Sequence, residues 1–206
     1  MKKIISSLLL SVMFTAYLLQ IQFSVGDVTA ALPPSRDITA YYAAAYGKTG
    51  SSLKSSLHTI IKGQTVISYS NCSAALRTID EQAGDSSSVR SIYTGKSIPK
   101  DGYWNKEHVW AKSIGDFGES MHAGSDLHHL RTEDNDLNSN RSNYGFGNTT
   151  KSRITVSHLG DTGCYKDTSG TGLFMPQDHA KGDVARMIFY MAVRYEGDSG
   201  EPDLEV

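Results

Sequence analysis

Hydrophobic residues recur every three to four positions in three stretches of the chain, which is the spacing of a helix with one buried face. These stretches cover residues 51–62, 73–81 and 178–195. The last stretch is the most regular, so we expect it to be a core helix. A shorter helix is predicted to begin after Asp37, a suitable N-cap residue, and to end at Gly47. The first part of the chain is therefore predicted to be mainly helical.

Between these helices the pattern changes to short apolar and aromatic runs separated by turn-forming residues. Residues 89–93 and 103–110 predict two short strands. Residues 132–140 are polar and bracketed by Asn and Asp, which predicts a short helix. The region 145–172 predicts turns, and the acidic tail 197–206 predicts a frayed end. With no internal repeat or domain boundary, the pattern predicts an α+β fold in a single domain.

The N-terminus has the pattern of a secretory signal, because two lysines follow the initial Met and precede a charge-free apolar run that extends to Gly26. Small residues favour cleavage after Ala30, which predicts a signal peptide over 1–30 and a mature domain over 31–206. The alternative is an uncleaved anchor, since about 20 apolar residues span a bilayer. We expect a secreted protein, extracellular or periplasmic, without stable membrane association after cleavage.

Composition narrows the class of protein. The 206 residues include 20 Lys and Arg against 22 Asp and Glu, which is too little positive charge to indicate a nucleic-acid partner by itself. A hydrophobic content of 39% is typical of a globular protein and excludes wholesale disorder. Loss of the signal peptide leaves 18 basic and 21 acidic residues, so the mature protein is mildly acidic.

The two cysteines, Cys72 and Cys164, are too few for a disulfide scaffold or for a four-thiolate zinc site. In an oxidising exterior we expect them to form one disulfide. The alternative is a pair of buried thiols.

The adjacent residues Glu107 and His108 are the first candidates for chemistry. A carboxylate is a hard oxygen ligand suited to a magnesium-type ion, and an imidazole can take a proton from water at neutral pH. Neighbouring side chains on a regular strand point to opposite faces, so joint action would require a bend or bulge at this place. The alternative is a surface ion-pair partner beside a half-buried histidine.

A second candidate segment covers residues 126–130, in which a pair of histidines lies between two leucines. A zinc site from Asp126, His128 and His129 is conceivable, but neighbouring ligands at this spacing rarely complete a tetrahedron. We therefore favour a hydrogen-bonding role for His129, which would hold the catalytic loop.

The third candidate is the Asn- and Gly-rich segment 137–147, in which Asn oxygens can ligate a hard cation and Arg141 can clamp a phosphate. From 137 to 158 there is no Asp or Glu, whereas Arg141, Lys151 and Arg153 give a net charge of +3. These three cations are the predicted phosphate-binding residues. The alternative is an ordinary surface loop.

Taken in chain order, the segments 107–110, 126–130 and 138–144 resemble the bacterial endonuclease I family of secreted and periplasmic nucleases, which belongs to the His-Me finger, or ββα-metal, superfamily. The resemblance implies a strand–strand–helix core surrounded by helices. It implies that His108 is the general base, that Glu107 and Asn138 are the metal ligands, and that His129 braces the loop. Some members also use an arginine at the leaving group, for which Arg131, Arg141 and Arg186 are candidates.

The function implied by this resemblance is that of a secreted, sugar-nonspecific endonuclease. It would hydrolyse phosphodiester bonds in DNA, in RNA or in both with one divalent ion, and leave 5′-phosphate ends. Mg²⁺ is the expected ion, with Mn²⁺ or Ca²⁺ as alternatives. The expected partner is the nucleic-acid backbone, bound without sequence preference by a monomer. The alternatives are a secreted nucleic-acid-binding module that has lost catalysis and a zinc hydrolase of another reaction type.

Overall fold

The structure is a computed structural model that describes residues 37–120 and 122–206. The predicted signal peptide and its cleavage site lie outside the described residues. The described chain forms two compact units, 37–64 and 65–206. No helix among the described residues is long and apolar enough to cross a membrane. The single mature domain over 31–206 stays a prediction.

The smaller unit is helical, as its apolar periodicity predicts. It contains α1 (Ile38–Tyr41), a short 3₁₀ turn (Ala43–Ala45) and α2 (Gly50–Ile61). The side chain of Asp37 accepts hydrogen bonds from the backbone N–H groups of Thr39 and Ala40, at 2.9 and 3.3 Å, and so caps α1 as predicted.

The larger unit begins with a helix and a small sheet. Helix α3 covers Tyr69–Ile79. Three antiparallel strands follow in the order β1–β2–β3, and they are β1 (Glu81–Gln82), β2 (Asp85–Arg90) and β3 (Ser97–Pro99).

The centre of the larger unit is a two-stranded antiparallel sheet followed directly by a helix. Its elements are β4 (Trp104–His108), β5 (Leu130–Asp134) and α5 (Asn135–Arg141). The long connection from β4 to β5 contains α4 (Lys112–Gly115) and a 3₁₀ turn (His122–Ser125). The Asp134 side chain caps α5 by accepting from the N–H groups of Asp136 and Leu137. This order of elements fits the strand–strand–helix core implied by the resemblance.

The helix predicted over 132–140 is correct only from residue 135, because residues 132–134 belong to β5. Thr132 and Glu133 are polar but fully buried, and Glu133 accepts hydrogen bonds from the Ser91 hydroxyl at 2.7 Å and from the Tyr93 N–H at 2.9 Å. A strand that is buried through polar contacts has no hydrophobic pattern to reveal it.

The region predicted to be rich in turns, residues 145–172, contains three strands of a four-stranded sheet, which has the order β6–β9–β8–β7 and is completed by β9 just after it. Its strands are β6 (Gly145–Phe146), β7 (Ser152–Val156), β8 (Gly160–Asp167) and β9 (Leu173–Met175). The strands were missed because β7 and β8 each bury only two residues, a run too short to stand out from the turns that join them.

Helix α6 (Asp178–Arg194) is the core helix predicted from its apolar face. The tail that follows it is not frayed. Leu204 is 2% exposed, its N–H donates to the Tyr195 carbonyl at 2.9 Å, and Arg194 forms an ion pair with Glu201 at 2.6 Å. The prediction of a loose end therefore fails because one buried leucine and one buried arginine fix the tail.

Two hydrophobic clusters meet at the residues that follow His108. Val109 belongs to a cluster with Tyr93, Leu137, Phe174 and Val184, among others. Trp110 belongs to a second cluster with Phe117, Met191, Tyr195 and Leu204, among others. Burial of such side chains contributes about 1.5–3 kcal/mol each. The backbone immediately after β4 is thus anchored on two sides.

Both cysteines are free and buried. Cys72 lies on α3 in a cluster with Leu76 and Leu130, whereas Cys164 lies on β8 in the cluster of Val109. Burial raises the pKa of Cys164 to about 11, and it also raises the pKa of Cys72. The predicted disulfide is therefore not formed, and the structure has the alternative of two buried thiols.

Candidate active site

A cleft of about 870 Å³ follows the edge of β4 that is not paired with β5. All five residues of β4 line it, together with residues of α3, α4 and α5. Glu107 and His108 therefore open into one cleft although their side chains leave opposite faces of the strand. The pairing of β4 with β5 is regular from Trp104 to His108, so the predicted bend or bulge is absent. Both side chains reach the cleft because it runs along the strand edge, which is accessible from either face.

Glu107 is 2% exposed, and two protein groups contact the same carboxylate oxygen. The Tyr93 hydroxyl donates to Oε1 at 2.5 Å, and Arg141 Nη1 lies 3.2 Å from Oε1. Burial raises the pKa of Glu107, while the Arg141 charge and the Tyr93 hydrogen bond oppose that rise. Because both contacts are on Oε1, they leave Oε2 available to a cation.

The backbone of Tyr93 is fixed by Glu133, whose carboxylate accepts from the Tyr93 N–H at 2.9 Å. Glu133 also accepts from Ser91 Oγ and from the N–H of Asp134. Burial raises the pKa of Glu133 to about 8 against these hydrogen bonds. The resulting network fixes the position from which the Tyr93 hydroxyl reaches Glu107.

Arg141 was predicted to bind phosphate, but the structure occupies its guanidinium with protein acceptors. It donates to the carbonyl of His108 at 3.2 Å, to that of Val109 at 2.6 Å and to that of Ser142 at 3.2 Å. Its Nε has no hydrogen-bond partner among the described residues. Arg141 lines the cleft and ties α5 to the backbone of His108 and Val109.

The His108 ring has a defined tautomer. Its Nε2 lies 2.9 Å from the carbonyl of Gly124, and because a carbonyl only accepts, Nε2 carries the proton and Nδ1 is the free acceptor. Burial lowers the pKa of His108 to about 3, with a further contribution from His129, while the Gly124 hydrogen bond opposes the fall. The ring is therefore neutral at neutral pH, and its Nδ1 carries no proton.

His129 is completely buried and uses both ring nitrogens. The Trp110 N–H donates to Nδ1 at 3.3 Å, so Nε2 carries the proton and donates to the Ala123 carbonyl at 2.7 Å. Burial lowers its pKa to about 4. These are the contacts expected of a residue that braces the loop, and they leave no ring nitrogen of His129 for zinc.

Asp126 anchors the same loop to α6. Its Oδ2 accepts from the hydroxyls of Tyr190 and Tyr195 at 3.0 and 2.8 Å, and its Oδ1 accepts from the N–H and the ring of His128. Within the described ranges, no group of three or more His, Cys, Asp or Glu side chains is arranged to hold a metal. The zinc alternative from Asp126, His128 and His129 therefore has no geometric support.

Asn138 lies on α5 and faces the side of β4 that carries Glu107. Its Nδ2 donates to Asn105 Oδ1 at 2.6 Å, so this contact does not use Oδ1 of Asn138, a residue that lines the cleft. Glu107 Oε2 and Asn138 Oδ1 are hard oxygen donors, and Mg²⁺ is usually held by one or two such protein groups plus waters and phosphate. The donor set thus fits a magnesium-type ion.

The other predicted phosphate-binding residues lie elsewhere. Lys151, next to β7, pairs with Asp167 at 2.9 Å, and Arg153 on β7 binds Asp161 through Nε at 2.7 Å. Neither lines the cleft. The charge count over 137–158 was misleading because the neutralising carboxylates come from β8, outside that stretch.

Of the three leaving-group candidates, only Arg141 lines the cleft. Arg131 donates to the carbonyls of Leu127 and Leu130, and Arg186 pairs with Asp183 three residues before it.

The cleft contains cations that the sequence analysis missed, namely Arg77, Lys100, Lys106 and Lys112. Lys106 could have been found, because alternation on a strand places it on the same face as His108. Arg77, on α3, and Tyr93, in the connection from β2 to β3, carry no sequence signal that links them to Glu107.

Comparison with known proteins supplies an independent view. The family model described as Endonuclease I matches residues 49–201. A protein named extracellular ribonuclease from Bacillus subtilis (strain 168) is 47% identical over 189 residues, which cover 89% of this chain and 63% of that protein. A protein of the same name from Bacillus amyloliquefaciens is 45% identical over 184 residues, 86% of this chain and 61% of that protein. The chain therefore spans about three fifths of the length of these relatives.

Proposed function

Because the chain belongs to the Endonuclease I family of nucleases, we propose that it is an extracellular, metal-dependent endonuclease that hydrolyses phosphodiester bonds in RNA and in DNA. The names of its relatives support RNA as a substrate and an extracellular location. The observation that carries the proposal is the meeting of Glu107, His108 and Asn138 in one cleft along the edge of β4. Their residue types suit a base and two oxygen ligands.

The reaction starts with a proton transfer to His108. Its Nδ1 accepts the proton of an attacking water while the Gly124 carbonyl, at 2.9 Å from Nε2, holds the ring in place. Burial keeps the ring neutral before the transfer. Because the nucleophile is water and not a ribose hydroxyl, the chemistry does not require the 2′-OH, and both sugars are substrates.

Glu107 Oε2 and Asn138 Oδ1 are the groups that would hold a divalent ion, expected to be Mg²⁺. When bound, such an ion supplies Lewis-acid stabilisation of the negative charge on the phosphate and on the leaving 3′ oxygen. Tyr93 and Arg141 keep the Glu107 carboxylate oriented through Oε1. Loss of the 3′ oxygen leaves a 5′ phosphate on the product.

The test uses the protein purified from the culture medium of an expressing host. Supercoiled plasmid and total RNA are incubated with it in Mg²⁺ and in EDTA. We expect both substrates to be degraded only with Mg²⁺, and the product ends to accept a radiolabelled phosphate from a kinase only after phosphatase treatment. Intact substrates with folded protein would refute the proposal, and products that need no phosphatase would refute the 5′-phosphate assignment.

A further inference from the structure

Helix α3 and strand β4 form one wall of the cleft. Along this wall, a side chain of α3 contacts a side chain of β4 at three successive positions, which we call levels. The three levels are Tyr69 with His108, Ser73 with Lys106, and Arg77 with Trp104. All six residues line the cleft. The first level holds the proposed base, so the other two lead away from the reacting phosphate.

The levels have a regular spacing, because residues four apart on a helix are separated by about 6 Å and residues two apart on a strand by about 7 Å. The contacting residues of the helix and of the strand therefore stay opposite each other along the cleft. A step of this size is comparable to the separation of successive phosphates in an extended nucleic-acid strand.

The second and third levels each carry a positive charge that no carboxylate of the described residues neutralises. Lys106 Nζ contacts the carbonyl of Tyr69 at 3.2 Å and lies 3.7 Å from the Tyr69 ring centroid. Arg77 Nε donates to the carbonyl of Lys100 at 3.0 Å, and its guanidinium lies 5.3 Å from the Trp104 ring centroid. Neither cation has an ion pair among the described residues, whereas Lys100 pairs with Glu81.

The aromatic and carbonyl contacts hold these two side chains without cancelling their charge. A cation that is oriented and unpaired in a cleft forms strong charge-assisted hydrogen bonds to phosphate oxygens. It positions the strand without reading a base.

We propose that Lys106 and Arg77 bind the next two phosphates of the nucleic-acid strand beyond the phosphate at His108. The cleft then holds three consecutive phosphates of one strand along β4. This inference rests on the proposed function, since it takes the phosphate at His108 as the reacting one.

The first experiment measures binding without cleavage. A fluorescein-labelled oligouridylate of 12 nucleotides is bound in EDTA by the His108→Ala protein, and its anisotropy is followed between 50 and 200 mM salt. Each phosphate contact on a single strand contributes about 0.7 to the slope of log K against log salt. We expect Lys106→Gln and Arg77→Gln, added to His108→Ala, each to reduce the slope by about 0.7, and Arg77→Lys to keep it.

The matched control is Lys151→Gln in the same background, because it removes the same charge from a residue paired with Asp167 outside the cleft. It should leave the slope unchanged. Slopes of Lys106→Gln and Arg77→Gln equal to that of the His108→Ala parent would overturn the proposal, as would an equal decrease for Lys151→Gln. Thermal unfolding of each variant checks that the fold is retained.

The second experiment compares cleavage of the dinucleotide UpU with that of the tetranucleotide UpUpUpU. In the wild type we expect kcat/KM to be higher for the tetranucleotide. Between 50 and 200 mM salt, each additional phosphate contact lowers the ratio of the two values by about 2.6-fold, so Arg77→Gln should lower the ratio at 50 mM and should make its decrease with salt about 2.6-fold smaller than in the wild type. Wild type that cleaves neither oligonucleotide nor the longer RNA would refute the proposed function. Wild type that cleaves both oligonucleotides, with a ratio unaffected by Arg77→Gln, would refute only the phosphate track.

Discussion

Replacement of Asp126 by Asn tests how the loop that holds His108 and His129 is fixed to the fold. The loop contributes the carbonyls of Ala123 and Gly124, which accept from the two histidine rings. Asp126 is 4% exposed, and its carboxylate ties the loop to α6 through two tyrosine hydroxyls. The substitution keeps the shape of the side chain and removes its charge.

The expected loss of stability follows from these contacts. A hydrogen bond to a charged group contributes about 1.5–3 kcal/mol. The contact with the half-exposed ring of His128 is screened by solvent and contributes less than the buried ones to the tyrosines. We therefore expect a loss of about 2 kcal/mol, which corresponds to a decrease in Tm of about 4–8 °C for a chain of this length.

The loss should depend on pH. Burial alone would raise the pKa of Asp126, but the hydrogen bonds and charge of His128 outweigh it and hold the pKa well below its usual range. A carboxylate whose pKa is lower in the folded state stabilises the fold above the unfolded value of about 3.9. The difference between wild type and variant should thus be constant near neutral pH and should shrink as the pH falls below about 4.

Urea unfolding at pH 7 and at pH 3.5 measures both effects. The control is Asp178→Asn. Asp178 lies on α6, the helix to which Asp126 is bound, but its side chain is 94% exposed and its partner Lys181 is on the surface. The control should change stability by less than about 0.5 kcal/mol. A variant of Asp126 as stable as wild type at pH 7, or a difference that grows in acid, would refute this account of the loop.

Three further predictions concern the site and the thiols. Glu107→Gln and Asn138→Ala should raise the Mg²⁺ concentration needed for half-maximal cleavage, and an unchanged dependence would exclude the residue as a ligand. Arg141→Met should lower the free energy of unfolding by about 3 kcal/mol, because it removes one partner of the buried ion pair with Glu107; urea unfolding measures this, and a loss below 1 kcal/mol would contradict it. Cys72 and Cys164 should react with a thiol reagent only in denaturant, and dithiothreitol should leave Tm unchanged; a decrease in Tm would indicate a disulfide.

The helices could be predicted from the sequence because each buries a periodic apolar face. Helix α6 and helix α2 differ from their predicted bounds by one residue at most. The strands were harder. Strand β5 is buried through polar contacts of Glu133 and therefore has no hydrophobic pattern. Strands β7 and β8 each bury only two residues, which is too few to predict a strand.

Only the part of the candidate site that depends on local sequence could be predicted. Glu107 and His108 stand out as adjacent reactive groups, and Asn138 follows from the family motif. The orientation of Glu107 by Tyr93 depends on a contact between residues 14 positions apart, and the neutralisation of Arg153 by Asp161 depends on the pairing of two strands. Such contacts form only in the tertiary structure, and the spacing of residues in the sequence does not reveal them.

The central claim is that His108 is the base of a metal-dependent nuclease, and the rate of the His108→Ala protein tests it most directly. The measurement is the initial rate of RNA cleavage at saturating Mg²⁺, beside wild type and with unfolding curves for both proteins. Since a positioned general base contributes about 10²–10⁴-fold, we predict a decrease of at least 100-fold with stability retained. A folded His108→Ala protein that keeps most of its Mg²⁺-dependent activity would contradict the claim.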